Sequence, residues 1–184
     1  IKLSLQYLKE RHGIIKGEPK IEPTMIVLHW TAAKTMSSTF NAFNHPKLNG
    51  DRKAIAGASD LNVSSQFLID RDGTIYRLMP EDHFARHVIG LNYCAIGVEN
   101  VGSDDFPLTE AQLLANEQLV RYLTNKYQIK HLIGHYEYTL FKNSPLWKET
   151  DPKYQTGKTD PGVSFMQKIR AKVKDLNFEP LPKK

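Results

Sequence analysis

The clearest apolar run of the chain covers residues 25–30 and begins shortly after Pro23. Its β-branched and aliphatic side chains predict a buried strand. The run ends on His29 and Trp30, and small residues follow it. Because ligands of open α/β sheets bind outside the carboxyl ends of the strands, His29 is a candidate for a binding cleft. The alternative from this pattern alone is a core histidine that is bonded to a backbone carbonyl.

Four further segments have strand patterns. Residues 65–70 and 74–78 flank an Arg-Asp-Gly turn and together predict a β-hairpin. Residues 95–101 and 129–135 are short apolar runs, and the second of them ends on His135. Two predicted strands therefore carry a histidine at or near their carboxyl ends.

Apolar positions three and four residues apart predict two longer helices. Residues 110–127 carry such a stripe behind a capping-box pattern, and residues 162–175 carry a second stripe. A short helix is expected to be capped by Ser37-Ser38 and to end before Pro46. Three stretches without such periodicity predict irregular connections: 49–60, 81–93 and 136–159.

The composition is that of a soluble globular chain, with 40% hydrophobic and 24% charged residues. No apolar run approaches the roughly 18 residues that are needed to span a bilayer. The single cysteine, Cys94, excludes an internal disulfide framework and a cysteine-rich zinc site. The net charge of +5 favours an anionic partner, such as nucleic acid, an acidic polymer or a cell wall. Since the sequence has neither a glycine-rich phosphate loop nor an aromatic-basic RNA-binding motif, we expect no specific nucleic-acid binding.

The spacing of the histidines indicates which of them could bind one metal ion together. His131 and His135 stand four residues apart, so they could bind one ion together on a helix. On a strand they would be about 13 Å apart at roughly 3.3 Å per residue. We therefore expect only His135 to lie near His29. His83 and His87 have the same spacing without a helical stripe around them, so a second metal site is not expected there.

Two imidazoles make an incomplete zinc site, since a catalytic zinc usually has three protein ligands. Cys94 and several carboxylates could supply the third, and the informative candidate is Asp160. From spacing alone, Asp160 is favoured as the N-cap of the last helix, with Pro161 at the first helical position. Asp151 before Pro152 has the same form, but no helical pattern follows it.

Five stretches of the chain resemble the zinc amidases that cleave N-acetylmuramoyl-L-alanine bonds in peptidoglycan. That family includes phage T7 lysozyme, bacterial muropeptide-recycling amidases and animal peptidoglycan-recognition proteins. The stretches occur in the family's order, and they are residues 27–32, 67–74, 96–99, 133–135 and 158–162. The resemblance implies an α/β fold of a single domain, with a central mixed sheet of about five or six strands flanked by helices.

Residue by residue, the resemblance implies that His29, His135 and Asp160 bind Zn²⁺. Glu99 matches the carboxylate that these enzymes place beside the zinc-bound water, and Lys158 matches the lysine two residues before the last ligand. Both residues are therefore expected to be catalytic.

The resemblance also implies that His87 faces the substrate, and we expect Trp30 and Asn92 to contact it as well. Ser65 stands where the phage branch has a catalytic tyrosine, and Asp160 replaces the cysteine ligand of that branch. Both differences favour the bacterial branch and assign proton transfer to Glu99.

The resemblance implies a zinc-dependent hydrolase that cleaves the amide bond between the lactyl group of N-acetylmuramic acid and L-alanine. Its substrate would be peptidoglycan or a muropeptide. The alternative is a module of the same fold that binds peptidoglycan without cutting it.

The chain divides into an N-terminal arm or short helix over residues 1–22, a catalytic domain over residues 23–176 and a tail over residues 177–184. A monomer without a transmembrane segment is expected. The first residue is not Met, so we expect that a leader has been lost. This arm and the basic charge favour export to the bacterial periplasm or cell envelope over the cytoplasm.

Overall fold

Five strands form one mixed sheet in the computed structural model, which describes residues 1–48 and 53–183. In chain order the strands are β1 (Met25–Trp30), β2 (Phe67–Ile69), β3 (Ile75–Arg77), β4 (Ala95–Asn100) and β5 (His131–Gly134). The spatial order is β3-β2-β4-β1-β5. β1 is parallel to β4 and β5, β2 is parallel to β4, and β3 is antiparallel to β2. The predicted α/β fold with a mixed sheet of five or six strands is confirmed.

Strand β1 lies between two parallel neighbours and is buried on both faces, as its continuous apolar sequence requires. Ile26 and Leu28 belong to a core on one face, whereas Met25 and Val27 belong to a core on the other. Because side chains alternate along a strand, His29 shares the face of Met25 and Val27.

Five α-helices and two 3₁₀ helices are described. The α-helices are α1 (Lys2–His12), α2 (Met36–Phe43), α3 (Lys53–Ala56), α4 (Glu110–Lys126) and α5 (Val163–Lys172). The 3₁₀ helices are His135–Asn143 and Lys174–Leu176. Helices α4 and α5 supply much of the core on one face of the sheet, and the segment before β4 packs on the other face. No helix of the described residues combines the length and the apolar character needed to cross a bilayer.

The N-termini of α4 and α2 test two of the predicted helix caps. The capping box of α4 is confirmed, since Thr109 accepts the backbone N–H of Gln112 and the Gln112 side chain accepts that of Thr109. The predicted serine cap of α2 is wrong. Thr35 has the extended backbone of an N-cap, and its Oγ1 accepts the backbone N–H of Ser38, so the helix begins earlier than expected.

The predicted connections contain more helix than expected. The stretch 136–159 begins inside a 3₁₀ helix that runs to Asn143, so its first third is not a loop. The stretch 49–60 contains the single turn of α3, and its residues 49–52 lie outside the described part of the chain. In both places, short helices without a long apolar stripe leave little periodic signal in the sequence.

The first residues of the chain form α1, which ends at Gly13 in the left-handed conformation (φ 65°). Tyr7 and Leu8 of this helix are buried in a small core with Ile21 and Phe84. Helix α1 therefore packs on the rest of the molecule through its own apolar contacts.

Candidate active site

Three side chains from different parts of the chain meet at one edge of the sheet. His29 lies near the end of β1, His135 follows β5 directly, and Asp160 precedes α5. Because β1 and β5 are parallel neighbours, both strands deliver their histidines to the same edge. All three side chains are buried, with at most 7% of each residue exposed.

The ligand-type atoms of these residues lie within contact distance of one another. His29 Nδ1 is 2.9 Å from His135 Nδ1 and 3.2 Å from Asp160 Oδ2, and His135 Nδ1 is 3.0 Å from the same oxygen. Within residues 1–48 and 53–183, this is the one group of three histidine, cysteine or acidic residues that is compatible with a metal ion. The three predicted ligands are therefore brought together.

The protonation states suit a metal site. Burial lowers the pKa of His135 to about 4, and the neighbouring His29 and Lys158 add to the effect. Burial alone would raise the pKa of Asp160, but its contacts with His135 and His29 outweigh burial and hold that pKa well below its ordinary value. At neutral pH, His135 is thus a neutral imidazole and Asp160 a carboxylate, which are the forms that bind metals.

Asp160 does not cap α5, so the interpretation favoured by its spacing is wrong. The helix begins at Val163, and its N-cap is Gly162, which makes no side-chain cap. Asp160 lies two residues before that N-cap, and its carboxylate contacts the two histidines instead. The rival Asp151 accepts the backbone N–H of Lys153 in a turn, as an ordinary aspartate does before such a bend.

The other candidate ligands lie elsewhere. His131 Nε2 is 3.5 Å from Glu179, and the His131 ring packs against Phe141. The prediction that only His135 of this pair would join His29 is therefore confirmed. Cys94 is buried just before β4 begins, at the opposite end of that strand from Glu99, and His83 contacts its neighbour Asp82.

Glu99 and Lys158 lie beside the three clustered residues. Glu99 is paired with His29 in the register of β1 and β4, and it is half-buried. Both side chains line a cleft of about 830 Å³ that also contains His29, His135 and Asp160. A volume of this size is typical of small-molecule sites. The sequence therefore predicted a carboxylate and a lysine that share one cleft with the clustered ligands.

Trp30, His87 and Asn92 also line this cleft, but they differ in exposure. Trp30 is half-buried, and its ring lies about 3.4 Å from where a Cβ on Gly162 would stand. His87 and Asn92 are buried, and Asn92 Oδ1 accepts the backbone N–H of His87 and of Val88, whereas Asn92 Nδ2 has no hydrogen-bond partner among the described residues. The predicted substrate contacts of these residues stay predictions.

Two buried asparagines support the site and were missed in the sequence. Asn100 Nδ2 donates to the backbone carbonyl of His29 at 3.0 Å, and Asn116 Nδ2 donates to Asn100 Oδ1 at 2.7 Å. Helix α4 thereby holds the end of β1 in place. A signal was present, since each asparagine interrupts an apolar segment where a buried polar group needs a partner.

Arg86 lies in the wall of the cleft and bonds to neighbouring segments of the chain. This residue was not identified from the sequence. This arginine is 3% exposed, and it lines the cleft together with Tyr7 and Tyr154. Its guanidinium donates to backbone carbonyls of the segment around Ile55 and Leu61 and to the hydroxyl of Tyr154. No local pattern around Arg86 indicates these contacts, because every partner is distant in sequence.

Comparison with known proteins gives matches to both the sequence and the fold. Residues 19–163 match the family described as N-acetylmuramoyl-L-alanine amidase. The structure is similar to that of the N-acetylmuramoyl-L-alanine amidase LysC from Clostridium intestinale, at 26% identity and a TM-score of 0.54, over 84% of this chain and 87% of that one. No curated protein sequence matches the chain significantly.

Two more distant structures share the fold. One is the amidase AmiD from E. coli, solved in complex with its substrate anhydro-N-acetylmuramic acid-L-Ala-D-gamma-Glu-L-Lys (18% identity, TM-score 0.54, 84% of this chain and 60% of that one). The other is PGRP-SA from a bumblebee (19% identity, TM-score 0.55, 91% of this chain and 93% of that one).

Proposed function

The chain belongs to the N-acetylmuramoyl-L-alanine amidase family, and we propose that it is a zinc-dependent hydrolase of the amide between the lactyl group of N-acetylmuramic acid and L-alanine. The observation that carries this proposal is the meeting of His29, His135 and Asp160 at one edge of the sheet. Its substrate would be peptidoglycan or a muropeptide released from it.

The spacing of the three ligand atoms supports zinc. Zinc binds imidazole nitrogen and carboxylate oxygen at about 2.0–2.2 Å in a tetrahedron, so its ligand atoms lie about 3.3–3.6 Å apart. The separations of 2.9–3.2 Å found here need only small side-chain movements to reach that geometry. Two imidazoles and one carboxylate, with a cleft on the open side, also match the ligand set of a catalytic zinc.

When bound, zinc acts as a Lewis acid and lowers the pKa of its water to about 7. The hydrolysis would add water across the amide: the C–N bond breaks, the lactyl carbon gains an oxygen and the leaving nitrogen gains a proton. Glu99 would accept the proton of the attacking water and pass it to the nitrogen of L-alanine. Its pairing with His29 in the register of β1 and β4, and its place in the cleft lining, support this role.

Lys158 would stabilise the negative charge that develops on the lactyl carbonyl oxygen. Lys158 lines the same cleft as His29, His135 and Asp160, which supports this role. The net charge of +5 also suits the carboxylates of the stem peptides and of the wall polymer.

The test is mass analysis of muropeptides after incubation with the protein, the metal-stripped protein and the protein restored with Zn²⁺. We expect cleavage between the lactyl group and L-alanine, its loss on stripping and its return with zinc. Binding of one zinc without cleavage of intact wall or soluble muropeptides would instead indicate a peptidoglycan-binding module.

A further inference from the structure

His87 lies behind the ligand His29, and both of its ring nitrogens have partners within the protein. Its Nε2 is 3.2 Å from the backbone carbonyl of Ala95, and its Nδ1 is 3.0 Å from His29 Nε2. A carbonyl can only accept, so His87 carries its proton on Nε2 and donates it to Ala95. In the neutral ring, Nδ1 is then an acceptor, and the donor facing it is the Nε2–H of His29.

This chain of hydrogen bonds determines the tautomer of His29. With the His29 proton on Nε2, its Nδ1 carries a lone pair. That lone pair faces His135 Nδ1 and Asp160 Oδ2, where the three ligand atoms converge. The partner of the non-ligating nitrogen thus decides which nitrogen of His29 can bind a metal.

Two features of the fold hold His87 in place. Asn92 Oδ1 accepts the backbone N–H of both His87 and Val88 at 2.8 Å. Gly97 of β4 leaves room for the imidazole, because a Cβ there would lie 2.7 Å from His87 Cγ. The backbone N–H of Gly97 donates to Gln66, which fixes this part of β4. Asn92 and Gly97 therefore hold the His87 ring in one position.

The second histidine ligand is different. The hydrogen bonds found for the His135 ring within the described residues all involve its Nδ1. The protein thus orients His29 from behind through His87, whereas His135 is placed by its position directly after β5.

We propose that His87 is a positioning residue of the metal centre, which fixes the ring orientation and the tautomer of His29 through the His29 Nε2–H···Nδ1 His87 hydrogen bond. Asn92 and Gly97 seat His87 for this task. The inference rests on the proposed metal centre but not on the bond that is cleaved. It differs from the substrate-facing role that the sequence resemblance implied for His87.

The first test measures zinc affinity of the full chain by competition with a chelating dye. His87→Leu fills the space without an acceptor, whereas the side-chain oxygen of His87→Asn can still accept from His29. We expect His87→Leu to bind zinc about 10- to 100-fold more weakly, as loss of a group that supports a ligand does, and His87→Asn to recover most of that loss. His83→Leu, at a histidine that pairs with Asp82 outside the cleft, is the matched control and should bind zinc as the wild type does.

One outcome would contradict the proposed role of His87, and a different outcome would contradict only the proposed function. If folded His87→Leu keeps wild-type zinc affinity and only its KM for muropeptides rises, His87 contacts substrate and the proposal is wrong. If the wild type binds zinc but cleaves no muropeptide, the proposed function fails while the zinc affinities still decide the role of His87.

A second measurement does not depend on any variant folding. Long-range ¹H–¹⁵N NMR of the ring nitrogens in the zinc-free wild-type chain reports the tautomer of each histidine. We expect His29 and His87 both to carry their proton on Nε2. A His29 proton on Nδ1, or a rapidly exchanging mixture of both tautomers, would overturn the proposal.

Discussion

The two sides of the cleft are built in different ways. On the sheet side, His29, Glu99 and His135 are placed by the register of parallel strands and their immediate ends. Much of the remaining lining, which we call the outer wall, comes from α1, from α2, from the stretch 53–64 and from the stretch 144–157. The sheet side carries the proposed chemistry, and the outer wall gives the cleft its shape.

Two arginines hold the outer wall together. Arg86 donates to the α3 region and to Tyr154, and its guanidinium lies 5.2 Å from the centre of the Tyr7 ring. Arg11 of α1 pairs with the fully buried carboxylate of Glu149 at 2.6 Å, and it lies over the Tyr154 ring at 4.7 Å. The residues that match the amidase family begin at residue 19, so α1 adds to the wall from outside the matched part.

This difference between the two sides explains which residues of the cleft could be predicted from the sequence. Strand ends follow from local apolar runs, and parallel pairing then brings His29, Glu99 and His135 to one edge. The role of Asp160 did not follow from local pattern, because an aspartate before a proline looks the same whether it caps a helix or faces a cleft. Arg86 and Arg11 gave no signal at all, since their partners lie far away along the chain.

The largest effect should come from Asp160→Ala on the sheet side. The variant loses the one anionic ligand, so its zinc affinity should fall by more than the roughly 100-fold expected for a group that only supports a ligand. Amidase activity should fall below detection. Zinc content after dialysis and muropeptide cleavage measure both. Asp151→Ala removes an aspartate that also precedes a proline, and it should keep its zinc; equal zinc in both variants would refute the metal-centre assignment.

Glu99→Gln should separate catalysis from metal binding on the same side. The amide cannot accept the proton of the attacking water, so we expect kcat to fall by about 10²- to 10⁴-fold. Zinc affinity should stay close to that of the wild type, because Glu99 lies beside the three ligand atoms and is not one of them. A kcat within a few-fold of wild type would assign proton transfer to another group.

Arg86→Leu should damage the outer wall and leave the sheet side intact. The partly buried carbonyls around Ile55 and Leu61 would lose their donors, and the guanidinium's buried environment would be left without its charge, so the free energy of unfolding should fall by about 2–4 kcal/mol. Zinc affinity should be unchanged while KM for muropeptides rises. Urea unfolding, a zinc titration and steady-state kinetics test the three statements.

Arg86→Lys is the matched variant for that experiment. It keeps the buried charge, but a single ammonium cannot span the carbonyls and the Tyr154 hydroxyl as the planar guanidinium does. Its stability should lie between those of the leucine variant and the wild type. If either variant loses zinc while remaining folded, the two sides of the cleft are not independent.

The smallest expected effect is the contribution of His12, in α1, to the pH dependence of the free energy of unfolding. Burial lowers the pKa of His12 from 6.5 to about 4, and the His12 Nδ1 contacts the backbone carbonyl of Lys148 in the outer wall. Between these two pH values, the unfolded chain binds a proton at this position that the folded chain excludes. The free energy of unfolding therefore falls as the pH is lowered from 6.5 to 4, by at most about 3 kcal/mol from this group.

Comparison of the wild type with His12→Gln isolates this contribution, because His135 and the other buried histidines are present in both chains. Glutamine can still donate to the Lys148 carbonyl and does not titrate. We expect urea unfolding of the variant to depend less steeply on pH between 4.5 and 6.5, with the two slopes converging above pH 7. Equal slopes throughout would mean that α1 releases His12 to solvent without unfolding of the domain. The outer wall would then be an element that opens on its own, whereas the sheet side stays folded.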